Sequence, residues 1–348
     1  MQPNHFAKAA LLTAVLVLTG LSAWEWHLRN KGLEISYDDG KELWAHVRAK
    51  AYADPATSTV FIGSSRIKYD LDISTWRKRT GRDAVQLAIE GSSPLPVLHD
   101  LANDDKFRGD LVVDVTEGLF FATRPGAADD PTQFKDYFYD QTPAQQFSCN
   151  IHRSLESGLV FLDRDNFSIN AMLDKNRPAD RPGVFNFPLF PLEFGRVTIG
   201  RQNLMTDEFL VDTSLQNMVT GNWLFFRSIN KEPPASGARL DSIINAVKIS
   251  VEKIRARGGS VLFVRTPSSG PFWKGEQAAF PREKYWERLL KGTNSPGVHF
   301  ADYPETAGFI CPEWSHLSPK DAITYTLRFA DILENEQGWS FRRMTASK

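Results

Sequence analysis

Cysteine is scarce in this chain: 348 residues hold two, Cys149 and Cys311, far apart and in no CxxC arrangement. That excludes a disulfide-dense scaffold and a thiolate zinc site. In an oxidising compartment an even pair reads as one disulfide, whose long loop is worth on the order of 4 to 5 kcal/mol in the chain-entropy model. Two buried free thiols is the other reading. An excess of either charge is also missing, since 41 Lys and Arg stand against 42 Asp and Glu. The basic residues are scattered, so nothing supplies the electrostatic footprint of a nucleic-acid-binding protein, and no nucleic-acid partner is expected. No histidine or carboxylate cluster has metal-ligand spacing, so neither a metal nor a cofactor is expected. Internal repeats, low-complexity tracts and a second long apolar run are absent as well.

The one long apolar run that is present, Ala9 to Trp24, carries no charge and follows a short segment bearing Lys8. Its length lies between a signal-peptide core and a full span of roughly 20 residues. An uncleaved anchor is the preferred reading. Leu21, the third residue back from a cut after Ala23, makes a poor cleavage motif there, although Gly20-Leu21-Ser22 is possible, and Trp24 and Trp26 suit the aromatic belt at a membrane surface. With one span over about residues 1–29, the bulk of the chain lies on one side of the inner (cytoplasmic) membrane, and signal-anchor logic makes that side periplasmic or otherwise extracytoplasmic.

Beyond a polar connector and a helix around Glu42 to Lys50, strands alternate with helices. Thr59-Val60-Phe61-Ile62 reads as a buried strand that runs into the turn Gly63-Ser64-Ser65-Arg66. A helix near Ile73 to Thr80 closes at Gly81. A strand follows at Ala84 to Ile89, then a helix near Pro96 to Asn103 and a strand at Leu111 to Val115. The rhythm is lost over about 118–235, read as one large apolar insertion over the sheet or its rim. It resumes with a helix whose inner face carries Leu240, Ile243, Ile244, Val247, Val251 and Ile254. Strands at Val261 to Val264 and Val298 to Ala301 flank a helix near Arg282 to Lys291. A last helix begins with Ser318 at its N-cap, Pro319 in its first turn and Asp321 completing a capping box; its expected inward stripe is Ile323, Leu327, Ala330 and Leu333. This alternation predicts an α/β fold with a parallel sheet of about five strands covered on both faces.

A serine in a tight turn after the first strand and a histidine before the last helix are in the order that brings a nucleophile and a base together at the carboxyl edge of such a sheet. Ser65 needs a base to take its proton, and neutral His316 is suited to that task. Glu313, one turn upstream, can hold the imidazole in the correct tautomer. Backbone N–H groups at Ser65 and Gly91 can serve a developing oxyanion.

Gly63-Ser64-Ser65-Arg66 and Glu313-Trp314-Ser315-His316-Leu317-Ser318 resemble the first and last conserved blocks of the SGNH (GDSL-like) hydrolase family. The resemblance implies a three-layer α/β/α, flavodoxin-like fold over residues 30–348, with Ser65 as nucleophile. Asp-x-x-His of the family maps onto Glu313 and His316, with glutamate in place of aspartate. The glycine block, an oxyanion donor, maps onto Gly91. The family's third block ends in asparagine, whereas here Thr116-Glu117-Gly118 follows the strand, so the Thr116 hydroxyl is the candidate substitute. Arg66 is read either as an anion-binding group beside the nucleophile or as an ordinary ion-paired arginine.

A single anchor, a Gly-Ser-Ser-Arg turn and a large insertion also resemble the extracytoplasmic partners of polysaccharide O-acetylation systems of the alginate type. That resemblance implies acyl transfer to a glycan from a membrane-bound O-acyltransferase. An esterase acting on the same glycan, and a catalytically silent carbohydrate-binding or assembly component, are the alternatives.

Overall fold

The computed structural model describes residues 3–124, 126–176, 181, 183–185 and 187–341. The chain divides into two compact units, Met1–Asp38 with Thr142–Asn186, and Asp39–Gln141 with Phe187–Lys348. In the first unit, one helix, Pro3–Asn30, is long and apolar enough to cross a membrane. Its other described elements are the helices Pro143–Glu156, Arg164–Phe167 and Ile169–Lys175 and the short 3-10 turn Val160–Leu162.

The second unit is α/β. Its sheet contains β1 (Ser58–Ile62), β2 (Asp83–Gln86) and β3 (Asp110–Asp114) from the first half of the chain. A separate antiparallel pair, β4 (Arg196–Val197) and β5 (Asn203–Leu204), lies outside it. From the second half come β6 (Ser260–Arg265) and β7 (Gly297–His299), and the order β2-β1-β3-β6-β7 is parallel throughout. The continuous apolar runs in β1, β3 and β6 follow from burial on both faces. Val60, Ile62, Val113 and Phe263 pack on one side with Leu98 and Val251 from helices Leu95–Asn103 and Gly237–Ala256. Phe61, Val112, Leu262 and Val264 pack on the other with Trp76 and Phe329.

Several local expectations hold. Gly81 closes helix Ile73–Thr80 in the left-handed conformation at φ 69°, where a β-carbon is unwelcome. Ser318 caps Pro319–Asn335 by accepting from the Asp321 amide. Others need correction. The last helix buries Ala322, Tyr325, Thr326, Phe329, Ala330 and Leu333, while Ile323 and Leu327 are exposed. Both stripes fit a helical period, and the one bearing two aromatic rings removes more apolar area from water. β2 ends at Gln86, and Leu87 to Ile89 continue beside β1 through Leu87 N–H to Phe61 O (2.8 Å) and Ile89 N–H to Gly63 O (3.2 Å). Helices Ser65–Asp70 and Gly270–Ala279 were not anticipated. Cys149 and Cys311 are not joined in a disulfide. Cys311 belongs to the core and burial pushes its thiol up, whereas Cys149 is half-buried.

Candidate active site

β1 delivers Ser65 to the carboxyl edge of the sheet. Two residues past the strand, Ser64 is extended and Ser65 opens helix Ser65–Asp70. Glycine is required just before this turn: a β-carbon on Gly63 would lie 2.6 Å from Cβ of Asp114 and 2.7 Å from Ile67 Cγ2. The chain therefore passes directly against the end of β3. At the topological switch between β1 and β3 parallel sheets leave a crevice for ligands, and Ser65 is partly exposed there.

His316 arrives from the turn before the last helix, 251 residues along the chain, and its Nε2 lies 2.9 Å from Ser65 Oγ. Nδ1 lies 2.9 Å from Glu313 Oε1. That oxygen also accepts from the backbone amides of His316 (2.6 Å) and Ser315 (3.2 Å). The longer side chain thus folds back over its own turn to reach the imidazole. Trp314, between them, has φ 78°, a sparsely populated conformation for a bulky residue, and is fixed by Ser269 N–H donating to its carbonyl (2.8 Å). With Nδ1–H donating to Glu313, Nε2 presents a lone pair to the serine hydroxyl, as a general base must.

The second oxygen of Glu313 has a partner that no sequence motif signals: Trp223 Nε1–H donates to Oε2 at 2.5 Å. Trp223 lies in helix Thr213–Ile229, within the stretch read as an insertion. Its ring stands 6.0 Å from the imidazole, with those of Phe194 at 5.6 Å and Tyr69 at 4.6 Å. Glu313 and His316 are fully buried among these rings. The tryptophan-phenylalanine content of 222–226 was the only hint available; nothing local couples it to residue 313.

The other anticipated residues are distributed as follows. Gly91 is exposed at φ 61°, with open space where a β-carbon would stand. It follows Glu90, an exposed residue whose carboxylate, against local desolvation, is lowered to about 2 by Lys68, with Asn203 also donating to it. The Thr116 hydroxyl donates to Asp114 Oδ2 (3.0 Å) and lies 2.9 Å from Ser64 Oγ, so its proton is engaged away from any ligand. Arg66 is the ion-paired arginine of the two readings. It is buried, and its Nη2 donates to Glu276 Oε1 (2.6 Å) and Ser315 Oγ (3.3 Å).

Beneath the site lies a buried ionic cluster. Glu276 bridges Arg66 and Arg265, and Arg265 Nε also donates to Glu117 Oε1 (3.2 Å). Burial opposes the charge of Glu276, but Arg265 and then Arg66 hold it at about 2. Two guanidinium groups do not support every carboxyl nearby. Burial raises Glu117 and Asp114, and raises Asp70 well above the ordinary range. Asp70 Oδ1 accepts from the Leu317 amide (2.8 Å), next to His316, and Oδ2 has no partner among the described residues.

Asp70 therefore makes stability depend on pH. Its folded form keeps a proton that the unfolded form loses near pH 4 (about 3.9). The stability so contributed is present below that value and is lost as pH rises through the raised one. Asn in its place can still accept from Leu317 and has no proton to lose. The melting-temperature advantage of the wild type over Asp70→Asn is expected to shrink as pH rises from about 4 through the raised value. A difference that stays constant over this range contradicts the assignment.

No protein-family model matches the chain, and no curated protein matches it.

Proposed function

We propose that the chain is a membrane-tethered, extracytoplasmic acyltransferase of the SGNH (GDSL-like) class, which carries an acetyl group on Ser65 and passes it to a glycan hydroxyl. The observation that carries this reading is the relay Ser65 to His316 to Glu313, with both contacts at 2.9 Å. The strand order, with the second strand at one edge and the first beside it, supports a flavodoxin-like arrangement with layers of helices on both faces. The amino-terminal helix, the one among the described residues that is long and apolar enough to span a bilayer, supports a periplasmic domain on an inner-membrane anchor, within reach of a membrane-bound O-acyltransferase as acyl donor.

In the first half-reaction Ser65 Oγ attacks the donor's carbonyl carbon as His316 Nε2 takes the hydroxyl proton. The tetrahedral oxyanion is received by the backbone N–H groups of Ser65 and Gly91. Collapse breaks the bond to the leaving group, which takes the proton from the imidazolium, and an ester on Ser65 remains. In the second half-reaction His316 removes the proton of the acceptor hydroxyl, that oxygen attacks the ester carbonyl, and Oγ leaves with the proton returned. A sugar hydroxyl completes transfer; water in its place completes hydrolysis. The partly exposed ring of Trp223 beside the base, with Phe190 and Phe226 packed on it at tilts of 49° and 55°, offers apolar surface to the face of a pyranose.

The test is to incubate the full-length chain with an activated acetyl ester and an acceptor oligosaccharide. Acetyl-Ser65 in the intact mass, followed by acetyl on the sugar, is expected. Release of all acetyl as free acetate makes the chain an esterase. Absence of any adduct and any turnover favours the silent binding component, which the engaged Thr116 proton would then explain.

Trp223 gives a subtler expectation. Phe at this position keeps a ring but removes the N–H that supports Glu313 Oε2. A hydrogen bond to a charged group contributes about 1.5 to 3 kcal/mol, so kcat for ester turnover should fall about 10- to 100-fold with KM little changed. An effect confined to KM would assign Trp223 to substrate binding instead.

A further inference from the structure

Helix Pro143–Glu156 is turned inside out. Its only buried residue is Glu156, and the half-buried positions are Cys149 and Arg153, which makes the inward stripe polar. Phe147, Ile151 and Leu155, spaced four apart on the opposite face, are 67%, 47% and 51% exposed. Successive residues rotate by about 100°, so these three share one stripe nearly diametrically opposite the inward one. Ile169, Met172 and Leu173 of helix Ile169–Lys175 are exposed as well. Water is a poor solvent for such a surface.

What covers it is indicated by how this unit is tied to the amino-terminal helix. Glu25 accepts from the amides of Val160 (2.9 Å) and Phe161 (3.3 Å), and Arg29 Nη2 donates to the carbonyl of Gly158 (3.1 Å). From Phe6 to Trp26 the helix rises about 30 Å at about 1.5 Å per residue, the thickness of a hydrocarbon core. Glu25 then sits at the boundary between lipid and water, beside the exposed rings of Trp24 and Trp26. The segment hydrogen-bonded to it must lie at the same level, and helix Pro143–Glu156 leads directly into that segment.

We propose that helix Pro143–Glu156 is an interfacial helix, with Phe147, Ile151 and Leu155 inserted in the acyl-chain boundary of the bilayer that the amino-terminal helix spans. The proposal rests on that helix crossing the membrane and is independent of the chemistry at Ser65. The helix carries little net charge, with Arg153 and Glu156 of opposite sign. Insertion is therefore driven by apolar area and does not require anionic lipid.

The test uses the full chain in phosphatidylcholine nanodiscs with Cys149→Ser as background; the buried Cys311 stays unlabelled. Spin labels are placed through Phe147→Cys, Ile151→Cys and Leu155→Cys, through Gln146→Cys and Asn150→Cys on the polar flank, and through Val15→Cys within the span. Collisions with oxygen should exceed those with a water-soluble nickel complex severalfold at 147, 151 and 155, as at 15, with the order reversed at 146 and 150. Nickel-dominated collisions at the three apolar positions overturn the proposal, and so does protection from both agents, which would mean a protein partner. Nickel access at 15 removes the span and the proposal with it, while leaving the Ser65 reading untouched. Lipid-borne diazirine labelling of the unmodified chain gives a second readout: adducts on the peptide with Phe147 and Ile151 are expected, and their absence when the span is labelled contradicts insertion.

Discussion

Ser65→Ala and His316→Ala are each expected to lower acyl turnover by about 10⁵- to 10⁶-fold, with the double variant no slower than either single one. The expectation follows from the way the two groups share one proton. Without the hydroxyl no acyl-enzyme forms. Without Nε2 the hydroxyl stays protonated and is a poor nucleophile near neutral pH. Residual turnover comes from the backbone N–H groups and from binding, which neither substitution touches. Ser65 is partly exposed, and losing its hydroxyl removes only the 2.9 Å contact to His316, so the folded state of Ser65→Ala should be intact by thermal melting. Independent, multiplicative losses in the two variants would mean that the groups do not act as a unit.

Glu313→Gln should lower turnover about 10⁴-fold, and the reason is unusually constrained here. Every group that approaches this carboxylate is a donor: Trp223 Nε1–H on one oxygen, and the His316 and Ser315 amides with His316 Nδ1 on the other. An amide has one accepting end. If its NH2 faces Trp223, two donors confront each other in a buried site, at a cost of about 1 to 3 kcal/mol in stability. If it faces His316, it opposes two amide donors and forces Nδ1 to accept, which moves the proton to Nε2 and removes the base. Glu313→Asp, too short to fold back as far, should be intermediate. Turnover by Glu313→Gln within about tenfold of wild type would show that the carboxylate does not set the tautomer.

Sheet strands and the last helix's start were legible because they depend on local pattern: the apolar run before Gly63, the Ser318 cap and the six-residue stripe of helix Gly237–Ala256. Ser65, His316 and Glu313 were legible from their chain order and from the resemblance of their turns to known blocks. The remainder of the site is set by tertiary packing. Helix Gly270–Ala279 begins Gly-Pro and holds a second glycine, which reads as a loop, yet it supplies Glu276 to the two buried arginines. Trp223 lies 90 residues from Glu313 and shares no motif with it. The expected insertion over 118–235 has no uniform period because its residues serve different surroundings. Those from 142 to 186 group with the amino-terminal helix and expose apolar side chains. In the other unit, Phe194 and Trp223 lie against His316.

The most direct test of a serine activated by His316 needs no knowledge of the substrate. The full-length chain is treated with a serine-reactive fluorophosphonate, and the adduct is located by peptide mapping. One adduct on Ser65 is predicted, and it is suppressed in His316→Ala. No adduct, an adduct on Ser64 in its place, or equal labelling without the histidine would contradict it.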